Sequence, residues 1–205
     1  MSAAVAATVA LSACGSGGRQ DANEPSGNFP VSVPVHTFPA LQRLAQHSHL
    51  VISVHNAGSK AIPNVAVTIT NPGPGTSAQA FGYLLSNSTA GLASRSRPAW
   101  IIDRPPGPCT YSCLAGGPGG AVTAYSNTWA LGRLNPGATA TFDWAVTAIK
   151  AGKYVVQYRV AAGLNGKAKA VLADGTSPTG RFNVVVTSRP QQSYVNNNGQ
   201  VVTTR

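Results

Sequence analysis

Thr139-Ala140-Thr141-Phe142-Asp143-Trp144-Ala145-Val146-Thr147-Ala148-Ile149 and, just after it, Lys153-Tyr154-Val155-Val156-Gln157-Tyr158-Arg159-Val160-Ala161-Ala162 decide the fold class. Phe142, Trp144 and Val146 alternate with Thr141, Asp143 and Thr147. Successive side chains of a strand point to opposite faces, so this period of two predicts a strand with one face in a core. In the second segment Tyr154, Val156, Tyr158 and Val160 share a face opposite Gln157 and Arg159. Tyr154 stands just after Gly152, the position of a tyrosine corner, whose hydroxyl bonds to backbone a few residues upstream.

The same alternation spreads outward in both directions. Residues 181–187 place Phe182, Val184 and Val186 on one face. Leu50, Ile52 and Val54 alternate with Val51, Ser53 and His55 before the turn signal Asn56-Ala57-Gly58-Ser59. Val65, Val67 and Ile69 follow, stopped by Asn71-Pro72-Gly73. Residues 80–85, 99–103 and 124–131 read as shorter strands. Residues 31–36 read as a first edge strand, because Pro30 and Pro34 limit its hydrogen bonding. Leu41, Leu44 and Ala45 have helical spacing and predict a short helical turn over residues 38–46. Seven to eight short strands with turns between them predict an all-β, Ig-like, two-sheet antiparallel sandwich. Long Gly/Pro-rich loops interrupt it between Asn71 and Pro98 and between Arg104 and Gly120.

Two further segments carry a family resemblance. Val51-Ile52-Ser53-Val54-His55-Asn56-Ala57-Gly58 with Ile62-Pro63-Asn64-Val65 resembles the opening hairpin of bacterial surface Ig-like modules. Trp129-Ala130-Leu131-Gly132-Arg133-Leu134-Asn135-Pro136-Gly137 with Ala151-Gly152-Lys153-Tyr154 resembles their later half. The CARDB (cell-adhesion-related) family and relatives of fibronectin type III share this plan. The resemblance covers roughly residues 48–188. It implies an Ig-like fold on the cell exterior and no enzymatic activity.

The N-terminus gives an address. Residues 3–10 form an apolar run, and Leu11-Ser12-Ala13-Cys14 resembles the lipobox of bacterial lipoproteins, whose cysteine is diacylated. No Lys or Arg precedes Cys14, a departure from the usual basic leader that points to a start codon further upstream. The resemblance implies a signal peptide over residues 1–13 and a lipid on Cys14 that holds the protein to the extracytoplasmic face of the membrane. Residues 14–28, rich in Gly, Ser and Asn, read as a flexible tether. Residues 29–188 form the sandwich, and residues 189–205 read as a loose polar tail.

Composition narrows the partners. Fifteen basic against five acidic residues give a net charge of +10 in a chain of 205 residues. Outside the membrane the available anions are lipid headgroups and cell-wall polymers, so nucleic acid is not expected as a partner. A membrane partner through Cys14 is expected, together with a protein or wall-polymer ligand. With Cys14 acylated, Cys109 and Cys113 remain as a candidate disulfide in an oxidising compartment. That small ring would enclose Tyr111 and pre-organise it as an exposed stacking group. Trp100, Trp129 and Trp144 read as core, while Tyr125 is a second ring available to a glycan. Arg95, Arg97 and Arg104 flank the strand at Trp100 and offer charge-assisted bonds to anions.

Catalysis has little to build on. No Gly-x-Ser-x-Gly elbow occurs, two of the five acids lie before residue 28, and nothing pairs Asp103 with Asp143 or Asp174. No enzyme and no cofactor are expected. His47-x-His49 with His55 and His36 form the sole histidine cluster, a weak alternative site for copper or zinc should their rings converge.

Overall fold

A computed structural model describes residues 22–72, 79–83, 97–108, 123–190 and 192–203. In chain order its strands are β1 (Gly27–Thr37), β2 (Leu41–Leu44), β3 (His47–Asn56), β4 (Ala66–Thr70) and β5 (Phe81–Tyr83). There follow β6 (Trp100–Arg104), β7 (Thr128–Ala130), β8 (Thr139–Ala148) and β9 (Gly152–Ala161). The chain continues with β10 (Ala168–Val171), β11 (Thr179–Pro190), β12 (Ser193–Val195) and β13 (Val201–Thr203). Sheet one runs β10-β1-β3-β8-β6-β5 and sheet two runs β2-β11-β9-β4-β7. Both pack onto one core, which makes the fold an Ig-like β-sandwich. The additional strands beyond seven or eight are pieces of three to five residues.

The alternation in the sequence is the alternation of burial. Leu50, Ile52 and Val54 of β3 meet Phe142, Trp144 and Val146 of β8 inside sheet one, all fully buried. Val67 and Ile69 of β4 with Val156 and Val184 of the neighbouring strands line the facing sheet. Each such side chain contributes roughly 1.5–3 kcal/mol by leaving water. Trp129 of sheet two meets Trp144 of sheet one edge-on, with centroids 5.4 Å apart. The three tryptophans are core residues, as their patterning predicts.

Chain crossing between the sheets is pinned at Tyr154. Its hydroxyl donates toward the carbonyls of Lys150 and Ala151, at 3.0 and 3.1 Å, closing the β8–β9 crossover as a tyrosine corner. Burial pushes this phenol's pKa up, and the nearby Arg97 charge opposes that rise.

Three expectations need correction. Residues 38–46 are not a helical turn: β2 pairs in parallel with β11, and Gln42 is buried there because Trp100 Nε1 donates to its Oε1 at 2.7 Å. A helical turn would leave that indole without a partner and the β11 edge uncovered. Residues 31–36 are an edge, as expected, pairing with β3 alone, while Gly27 to Pro30 before them pair in parallel with β10. Pro34 falls where the β1–β3 register shifts, a bulge that needs no N–H from it.

The tether ends well before residue 28. Glu24 is buried, its carboxylate accepting the N–H groups of Asn165 (2.6 Å) and Ala168 (2.5 Å). Gly163 leaves room for it, because a methyl there would overlap the Glu24 carboxyl. The tail also differs from expectation, because β12 and β13 form an antiparallel hairpin. Asn196 accepts from the N–H groups of Asn198 and Gln200, and Gly199 takes a left-handed φ of 74° to close the turn.

Candidate functional site

The two outer faces of the sandwich differ in how their polar side chains are used. On sheet one, His49 Nδ1 lies 2.7 Å from Asp143 Oδ1, and Arg104 donates to the other oxygen at 3.4 Å. His47 Nδ1 meets Asp103 Oδ2 at 3.1 Å and Thr147 Oγ1 at 2.9 Å, while Thr147 donates to the same Asp103 oxygen at 2.7 Å. Ser53 bonds to Thr141 and His55 to Thr139 across the same strand pair.

This arrangement tests two functional readings. A nucleophile–base–acid relay uses both ring nitrogens of the histidine, one toward each partner. Thr147 and Asp103 instead form a closed triangle on the single Nδ1 of His47. As placed, that group is not a relay. For a metal, the rings of His47, His49 and His55 would have to share a point, whereas the Nδ1 of each meets a different partner, Asp103, Asp143 and Thr139. Among the described residues no set of three His, Cys, Asp or Glu side chains is placed to hold an ion. His36 packs its ring beside Tyr158 and Phe182 instead.

Sheet two is different. Arg159 of β9 and Arg181 of β11 are both exposed, opposite Thr179 and Gln157 respectively in the strand register. With Thr68 and Thr70 of β4 they line a groove of about 570 Å³. It adjoins a second hollow of about 630 Å³ that shares Thr68 and Arg159 and adds Tyr125, Thr128 and Lys169. None of the residues lining either hollow is acidic. No ion pair among the described residues reaches Arg159 or Arg181. Thr68, which lines both hollows, hydrogen-bonds at 2.9 Å to Thr128 of the second. Gly180 makes space for the Tyr158 ring beneath, against which any added Cβ would clash.

The sequence-predicted residues are distributed unevenly over this picture. Arg104 is tied to Asp143 and therefore is not a free anion contact. Arg97 lies close enough to Tyr154 to act on its phenol. Tyr125 is partly exposed, at 38%, beside the groove. Cys14, Arg95, Cys109, Tyr111 and Cys113 lie outside the described residues. Arg159 and Arg181, which sequence patterning put on polar faces without linking them, are brought together by the β9–β11 register.

No protein-family model matches the chain, and no curated protein matches it. Among solved structures it is similar to the CARDB domain of a Pyrococcus furiosus protein, in complex with di-metal ions. Identity there is 14%, with 78% of this chain and 90% of that one covered and a TM-score of 0.42. It is also similar to native alpha-2-macroglobulin of E. coli, at 15% identity, with 80% of this chain and 7% of that one covered and a TM-score of 0.41. A third similar structure is the cupredoxin domain of amoB from Nitrosocaldus yellowstonii, at 10% identity, with coverage of 79% and 89% and a TM-score of 0.34.

Proposed function

We propose that the protein is a non-catalytic binding module, held on the extracytoplasmic face of the membrane by a lipid on Cys14, that takes an anionic envelope polymer along the groove of sheet two. The observation that carries this reading is the pair Arg159 and Arg181, exposed and without an ion-pair partner among the described residues, on a face that has no acid lining its hollows. Guanidinium groups form short, two-pronged bonds with phosphate and carboxylate. Thr68, Thr70, Gln157 and Thr179 supply neutral donors and acceptors for the hydroxyls of such a polymer. Tyr125 adds a ring face for a sugar at the groove's end.

Titration calorimetry with poly(glycerol phosphate) and with a neutral glucan tests the groove. The charged polymer should bind and weaken steeply as salt is raised, while the glucan binds poorly. Arg159→Glu with Arg181→Glu should lower affinity at least about a hundredfold, since each charged hydrogen bond is worth roughly 1.5–3 kcal/mol. Unchanged affinity in that double variant would sink the groove assignment.

A further inference from the structure

The end of the sandwich where the chain comes in from Cys14 is built from three loops, residues 57–65, 131–138 and 162–167, beside residues 22–26. These loops are bonded into one base. Asn56 Nδ2 donates to the carbonyls of Lys60 (2.9 Å) and Leu134 (3.0 Å). Ile62 and Leu134 exchange both backbone bonds, at 2.9 and 3.0 Å. Asn64 donates its N–H to Ala162 O at 3.1 Å and accepts the N–H of Gly132 on its side chain at 3.1 Å. Ala57 N–H reaches Pro30 O at 3.0 Å, tying the base to β1.

The exposed charge carried by these loops is positive. They carry Lys60, Arg133 and Lys167, all exposed, and Lys169 follows at the start of β10. The one acid in these four segments is Glu24, which is buried with each of its oxygens bonded to a backbone N–H. Of the other described acids, Asp103 and Asp143 lie on the face of sheet one, while Asp174 lies in the β10–β11 loop, whose Gly175 and Ser177 line one hollow with Gly163, Leu164 and Gly166 of the base, and its carboxylate is bonded by Thr176.

Position completes the argument, which rests on the lipid anchor proposed above. Glu24 and the bond from Lys167 Nζ to Ala22 O (3.2 Å) fix the chain to the base from residue 22 onward. Only seven residues, 15–21, then separate the base from Cys14. Fully extended they reach about 25 Å, and as a coil about 15 Å. We infer that this three-loop base is a membrane-docking surface, its cations Lys60, Arg133 and Lys167 seated on anionic lipid headgroups. The lipid supplies attachment, and the base sets orientation.

Vesicle co-sedimentation of the full chain carrying Cys14→Ala isolates the surface from the anchor. Vesicles of phosphatidylglycerol and phosphatidylcholine should bind it, and pure phosphatidylcholine should not. Each cation lost should weaken binding about fivefold, so Lys60→Gln, Arg133→Gln and Lys167→Gln together should weaken it about a hundredfold. Arg159→Glu with Arg181→Glu should leave it within about threefold if the base and not the groove makes the contact. Unchanged binding in the triple variant, equal binding to neutral vesicles, or loss in the groove variant overturns the inference. Palmitate labelling of the native chain scores the anchor separately. Unlabelled Cys14 overturns the anchor and leaves the vesicle result standing; labelled Cys14 with an unaffected triple variant overturns the base alone.

Discussion

Sheet one and sheet two share a core but treat their outward polar side chains in opposite ways. On sheet one His47, His49, Ser53 and His55 each meet a hydroxyl or carboxylate across the β3–β8 pair, and Arg104 is tied to Asp143. On sheet two Arg159 and Arg181 stand opposite Thr179 and Gln157, with no carboxylate lining the groove between them. Cross-strand pairs of opposite charge contribute only about 0.2–1 kcal/mol, so neither pattern is needed for folding. What differs is the charge left over. A face whose cations are already paired must break those pairs to bind an anion, whereas a face of unpaired cations only sheds water.

The comparison breaks most visibly if sheet two is given sheet one's chemistry. Gln157→Glu changes an amide to a carboxylate of the same shape, directly opposite Arg181. The pair should form, stability should change by less than about 1 kcal/mol, and polyanion affinity should fall about tenfold as Arg181 is engaged within the sheet. Chemical denaturation and titration calorimetry on the same variant separate the two effects. A tenfold loss with an unchanged denaturation midpoint supports the contrast, and full affinity would mean that Arg181 does not meet the ligand.

A smaller effect is expected where the two faces are joined. The β8–β9 crossover carries the chain from sheet one to sheet two, and the Tyr154 hydroxyl closes it on Lys150 and Ala151. Tyr154→Phe should cost about 1 kcal/mol, the worth of an ordinary buried hydrogen bond. The pH dependence has a definite sign. Burial raises the folded-state pKa of Tyr154 and Tyr158 above 10.0, so the protonated phenol favours the native state. Their contribution is whole below the unfolded-state pKa and is lost as pH climbs through the folded-state value. The native protein should therefore lose stability above about pH 10, and the Phe variant should lose less of it over the same range. Parallel alkaline denaturation curves would contradict this.

How much of this was open to reading differs by range of contact. Leu50, Ile52, Val54, Phe142, Trp144 and Val146 announce their face because burial in a strand has a period of two. Tyr154 is legible for the same reason, since its partners lie three and four residues away. Gln42 is not: its burial depends on an indole 58 residues on, and by local spacing Leu41, Leu44 and Ala45 suit a helix equally well. Glu24 sits among Gly, Ser and Asn typical of a linker, and only the loop 141 residues later gives its carboxylate a role. The histidines were visible as a cluster, but Asp143, 94 residues from His49, decides that the ring is paired. For the groove, Arg159 and Arg181 show as outward-facing, while their apposition depends on a strand register that alternation alone does not fix.

The mildest test runs the contrast backwards. Asp143 accepts from Arg104 and pairs with His49, all three partly exposed to water, so the interactions are weak and Asp143→Asn should lower stability by only about 0.5 kcal/mol. Yet the substitution frees a guanidinium on the face of sheet one. If unpaired cations are what makes a face of this sandwich receptive, the variant should gain a weak, salt-sensitive second site for poly(glycerol phosphate), with the first site's affinity unaltered. A variant with one site and native affinity would show instead that groove shape, supplied by Thr68, Thr70 and the Tyr158–Gly180 contact, outweighs free charge in choosing the face.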